Sequence, residues 1–139
     1  MTALTQELLE VATTRMEHIT EMIEALQAAE NDGAAEYEGH QYDADTLREI
    51  IFESALEVTI RSNWVTPGHE RPDKSGEYRL LLETGGPATQ IVGDLSEHSE
   101  PETAYLEVQD WGIPWTRYVA TREESERLLT FAAKFYFDE

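Results

Sequence analysis

One long amphipathic helix is the only regular structure that organises the first thirty residues, and it separates carboxylates from apolar side chains. With successive residues about 100° apart around a helix, Glu7, Glu10, Glu17, Glu21 and Glu24 fall within an arc of roughly 100°. Leu4, Leu8, Ala12, Ile19, Ile23 and Leu26 gather on the opposite side. At a rise of ~1.5 Å per residue the carboxylates form a row roughly 26 Å long. Arg15 is the one Lys or Arg among the first forty-seven residues, so the row is expected to lack internal partners and to project its field outward. A helix of this length gains little stability from propensity alone. Leu8, Ile19, Ile23 and Leu26 are therefore expected to be buried against a second helix, a sheet or a second copy of the chain.

The formal charge is −19 over 139 residues, and it is uneven: residues 1–60 carry 14 acidic side chains against 2 basic ones, the remainder 15 against 8. Binding DNA, RNA or an anionic membrane requires clusters of Lys and Arg that this chain lacks. A basic partner is the expectation. The length and the 40% apolar content suffice for a buried core. The absence of cysteine removes disulfides, thiolate metal sites and thiol nucleophiles together and fits a reducing cytoplasm. Neither a signal peptide nor a membrane span is expected, because the first residues hold neither a basic leader nor an unbroken apolar stretch.

The first helix should close at Asn31-Asp32-Gly33, where glycine can adopt the left-handed conformation. After a polar stretch from Ala34 to Tyr42, Asp43 or Asp45 can cap a second helix running to about Phe52, with Leu47, Ile50 and Ile51 as its stripe. A helical hairpin is expected. At Leu56-Glu57-Val58-Thr59-Ile60-Arg61 the pattern switches to alternation, the signature of a strand with one face in the core. Three more strands are expected near Glu77–Glu83, Ala88–Leu95 and Thr103–Asp110, the first two joined by the turn Thr84-Gly85-Gly86-Pro87. Outward positions Glu57, Arg61, Glu77, Arg79 and Glu107 can compensate one another across strands. Thr121 followed three residues later by Glu124 is a capping box that opens a last helix, with Leu128, Leu129, Phe131, Ala132 and Phe135 facing the sheet. The expected fold is α+β in one domain: an N-terminal helical hairpin, a four-stranded antiparallel sheet and a C-terminal helix packed on it. Residues 1–54 form an acidic helical arm and 55–139 a sheet-plus-helix module.

Motifs for chemistry are sparse. Gly85-Gly86 sits between strands rather than opening a helix, so it reads as a turn and not as a phosphate loop. His18, His40, His69 and His98 lack ligand spacing, and Asp43-x-Asp45 lacks the later ligands and glycine of a calcium loop. No metal or cofactor is expected. Gln109-Asp110-Trp111-Gly112-Ile113-Pro114-Trp115-Thr116 stands apart. Two tryptophans around a glycine and a proline on a loop, with Trp64 earlier in the chain, can pack structurally or form an aromatic hot spot. Asp110 is a conceivable general base, but no second catalytic group follows from spacing.

The stretch from Ala55 to Glu139, about three-fifths of the chain, resembles an uncharacterised family of small acidic proteins encoded by bacteriophages, prophages and plasmids. The matching pieces are Arg61-Ser62-Asn63-Trp64 with Thr66-Pro67-Gly68, Thr84-Gly85-Gly86-Pro87-Ala88, the tryptophan motif from Gln109 to Thr116, and Phe135-Tyr136-Phe137. The resemblance implies a mobile-element origin, with a sheet-plus-helix module carrying variable helical arms, and brings no catalytic residues. Charge and origin together resemble the anti-defence proteins of phages, anti-CRISPR and anti-restriction inhibitors, many of which imitate DNA.

The leading expectation is thus a non-enzymatic inhibitor, acting in the cytoplasm of a bacterial host. Its carboxylates would occupy the basic nucleic-acid site of a defence complex. Five charges over roughly 26 Å are sparser than one phosphate per ~3.4 Å of strand, so Glu36, Glu38, Asp43 and Asp45 are expected to contribute with Glu7, Glu10, Glu17, Glu21 and Glu24. Two further readings belong to other classes. One is a dimerisation or interaction module in which the apolar face of the first helix pairs with its twin; the other is a ligand-binding domain or enzyme around Trp64, Trp111 and Trp115.

Overall fold

The fold is that of a computed structural model, which describes residues 5–62, 64, 67–68, 76–110 and 112–137. Leu4, Asn63, Thr66, His69 and Trp111, each singled out in the sequence, lie outside the described residues. The chain is α+β, with helices α1 (Gln6–Asp32), α2 (Ala44–Glu53) and α3 (Arg122–Ala132). Strands β1 (Ala35–Tyr37) and β2 (His40–Tyr42) make a small hairpin. Strands β3 (Glu57–Ser62), β4 (Gly76–Glu83), β5 (Ala88–Leu95), β6 (Tyr105–Asp110) and β7 (Ile113–Arg117) make an antiparallel meander in chain order.

Local chemistry accounts for the helix limits. The Thr5 hydroxyl accepts from Leu8 N–H at 3.2 Å, and Gly33, at φ 90°, donates its N–H to the Ala29 carbonyl at 2.8 Å, so donors and acceptors that a helix end leaves unpaired are satisfied. Asp43 caps α2 by accepting from Thr46 N–H at 2.8 Å. Thr121 and Glu124 form the reciprocal capping box of α3. The apolar face of α1 is deeply buried, with Leu8, Ile19, Ile23 and Leu26 all at 2% exposure or less, in one core with Tyr78, Leu80, Ile91, Leu106 and Phe131. This chain's own elements fill that face. The pairing with a twin helix read from the sequence would have to use this same face, which among the described residues is occupied within the chain.

Three features correct the expected architecture. The first two helices are not a simple hairpin, because β1 and β2 intervene and β1 packs on α1. Their two-residue turn places both Glu38 (φ 50°) and Gly39 (φ 84°) in the left-handed region, the requirement of a tight hairpin turn. The main sheet has five strands rather than four: the expected tryptophan loop is a hairpin in which Asp110 pairs with Ile113 and Gly112 takes φ 73°. Alternation on β3 does not bury its apolar side chains fully. Val58 and Ile60 face the same side as Leu80 and Tyr78, their partners in register, yet both remain exposed, because β3 is an edge strand.

Candidate functional site: an acidic face on the first helix

Glu7, Glu10, Glu17, Glu21 and Glu24 are all exposed along α1, and elements distant in sequence build the borders of that face. On one side the β1–β2 hairpin sets Tyr37 near Glu38 and Glu21. Its hydroxyl pKa is raised, first by burial, then by the charges of Glu38 and Glu21 and a hydrogen bond to Glu38, against a smaller opposing influence of Arg15. On the other side the Tyr118 hydroxyl donates to Glu124 Oε2 at 2.9 Å. Its pKa is raised by burial, then by that hydrogen bond and the Glu124 charge, with Glu17 contributing and Thr13 opposing. Two neutral hydroxyls thus border the acidic face, each close to carboxylates from two elements.

The described cations are distributed so that the middle of the row stays bare of them. Arg15 turns away from the row and binds Glu83 on β4, Nη2 to Oε1 at 2.6 Å. Glu24, at the C-terminal end, pairs with Arg127 of α3 at 3.5 Å, and Arg48 of α2 holds Glu30 and Asp45 at 2.8 and 2.7 Å. The expected lack of internal partners therefore fails for Glu24, because Arg127 reaches it from α3, while Asp45 is held by Arg48 one turn along its own helix. Among the described residues, Glu7, Glu10, Glu17 and Glu21 form no ion pair, and Glu10 accepts only a weak bond from the Gln6 amide at 3.3 Å.

The remaining acidic positions fall beside the row and at its two ends. Glu36 and Glu38 lie exposed on the β1–β2 hairpin. Asp43 is engaged as the cap of α2, its pKa lowered by the hydrogen bonds from Thr46, and shares a shallow cleft with Asp45, Glu30 and Arg48. At the other end, Glu7 and Glu10 face Glu83 and Asp110 across a cleft of about 460 Å³. Glu83 and Asp110 were not placed here by sequence reasoning. They arrive from the ends of β4 and β6, and no local pattern reveals that proximity. Among the described residues, the other ionisable groups that line this cleft with Asp110 are carboxylates. No group of three or more His, Asp or Glu among the described residues is arranged to hold a metal ion.

The two described tryptophans, Trp64 and Trp115, are not gathered. Trp64 follows β3, at one edge of the sheet, and is fully exposed; Trp115 is half-buried on β7, at the opposite edge. A shallow cavity by the β6–β7 turn is lined by Gln109, Asp110, Gly112, Ile113 and Pro114, with Gly85 of the β4–β5 turn. It offers no nucleophile or general acid–base pair among those residues. No helix among the described residues is long and apolar enough to cross a membrane. Comparison with protein families, with curated proteins and with solved structures returns no match.

Proposed function

We propose that the protein is a non-catalytic inhibitor of mobile-element origin that seats the acidic face of α1 on the basic nucleic-acid site of a host defence complex, in an anti-CRISPR or anti-restriction role. The observation that carries this reading is the exposure of Glu7, Glu10, Glu17 and Glu21 without an ion pair among the described residues, beside an Arg15 turned inward to Glu83. Charges left unneutralised repel one another and favour a cationic surface. Glu36 and Glu38, exposed on the β1–β2 hairpin, add to this charge, whereas Glu83 and Asp45 are offset by Arg15 and Arg48. Steering by this field speeds encounter, and close contact fixes the partner.

The test is capture from a bacterial host lysate on the immobilised full chain, followed by salt and nucleic-acid challenge. A nucleic-acid-binding complex that is retained at low salt, released steeply as salt rises and displaced by competitor DNA or RNA is the expected result. A captured complex indifferent to both salt and competitor would sink the proposal, and so would capture of none.

A further inference from the structure

The sheet has a second face, turned away from the helices, and its chemistry differs from that of α1. Cross-strand register sets two rows on it: Thr59, Arg79, Val92 and Tyr105, and beside them Leu81, Gln90, Glu107 and Arg117. A cavity of about 720 Å³ lies over these rows, within the size range of small-molecule sites. Three arginines, Arg61, Arg79 and Arg117, and three carboxylates, Glu77, Asp94 and Glu107, line it, and Arg61 is paired with Glu77.

Gln90 is the anomaly of this face. It is only 4% exposed; its Nε2 donates to Glu107 Oε1 at 2.7 Å, and its Oε1 is buried with no hydrogen-bond partner. The amide cannot relieve this by turning over, because a carboxylate only accepts and needs the nitrogen beside it. A buried acceptor without a donor is costly and uncommon. Around it the cations are incompletely matched. Arg117 stacks over the Tyr105 ring at 3.8 Å and stands 3.8 Å from Glu107 Oε2. Arg79 forms no ion pair among the described residues, and the register places Val92 between it and Tyr105.

We propose that this face binds a zwitterionic small molecule of the free α-amino-acid class, its carboxylate between Arg79 and Arg117 and its ammonium on Gln90 Oε1 and Glu107. Guanidinium groups are suited to carboxylates, and an ammonium supplies the donor that Gln90 lacks. A simple anion leaves Gln90 Oε1 unsatisfied. A simple cation leaves Arg79 without a counter-charge. Only a ligand with both charges close together satisfies both rows, since positions two residues apart along a strand stand ~6.7 Å apart. The site lies on the opposite side of the sheet from α1 and is independent of the inhibitor reading.

The experiment is ligand-observed NMR of the full chain with each standard amino acid at millimolar concentration, followed by calorimetric titration of any binder. Binding of at least one, weakened about tenfold or more by Arg79→Gln and by Gln90→Leu, with acetate and methylamine each far weaker, is expected. Because Arg79 is exposed, Arg79→Gln decides the matter even if Gln90→Leu fails to fold. Absence of binding by every amino acid, full affinity in folded Arg79→Gln, or acetate binding as tightly as the amino acid would each overturn the assignment.

Discussion

Arg15 donates from both Nε and Nη2 to a single oxygen of Glu83, at 3.1 and 2.6 Å, joining α1 to the end of β4 across 68 residues of sequence. The Arg15 side chain is 18% exposed and that of Glu83 38%, so the pair is partly shielded from water. Arg15→Met is expected to keep the aliphatic packing and lose the charge-assisted bonds, lowering stability by about 1–3 kcal/mol. Urea unfolding measures this directly. An unchanged midpoint would mean that the pair contributes nothing and that α1 is held by its apolar face alone.

Gly93 sits where two segments of the chain pass close to each other. A Cβ there would lie 2.0 Å from the Thr103 carbonyl oxygen and 2.8 Å from the Tyr78 ring, the ring whose hydroxyl donates to that same carbonyl at 2.5 Å. The obstruction is backbone, which cannot swing aside as a side chain can. Gly93→Ala should therefore cost about 1–3 kcal/mol by overpacking. Gly39→Asn, at φ 84° with open space around it, is the matched control and should change little, since asparagine tolerates the left-handed region. Thermal melts of the two variants should separate clearly.

These contacts mark the limit of what the sequence discloses. Gly33 and the Thr121–Glu124 box are legible because capping is decided within four residues, and the row of glutamates is legible because helical period alone creates it. The β1–β2 hairpin escapes notice because its strands have three residues each and its turn is Glu38-Gly39 rather than the more telling Asn-Gly. Strand β7 escapes because Pro114 argues against a strand. It is tolerated there because β7 is an edge strand, where a missing N–H need not break the ladder. Arg127 beside Glu24, and Glu83 and Asp110 beside Glu7, depend on contacts between distant segments, which no local window contains.

The two tyrosines bordering the acidic face give a signature in alkali. Burial first, then their carboxylate neighbours, hold the Tyr37 and Tyr118 hydroxyls above their ordinary pKa. A folded pKa raised above the unfolded value means that the contribution to stability is complete below about pH 10 and is lost as pH rises through the folded value. Tyrosinate absorbance should accordingly develop later in the folded protein than in the urea-denatured chain. Tyr118→Phe should remove one late-ionising group. If native and denatured titration curves coincide, neither hydroxyl is held as described.

The functional claim stands or falls on reversing charge at the row without changing the fold. Glu10, Glu17 and Glu21 are exposed, and surface substitutions usually change stability by no more than about 0.5 kcal/mol each, so the triple change to Lys should still fold. The control reverses Glu97, Glu100 and Glu102, equally exposed but on the β5–β6 connection, and arrives at the same net charge. Because each reversal on α1 would set like charges together in a basic channel, at a cost that can reach several kcal/mol, the α1 triple should lose target affinity by about a hundredfold or more. The control should lose far less, since it alters only the long-range field, which salt screens within roughly 10 Å. Inhibition and affinity measured for both triples at two salt concentrations separate local mimicry from general charge: a sharp difference at both salts places the contact on α1. Equal losses that vanish at high salt would reduce the row to a solvating surface, and the inhibitor reading would be abandoned.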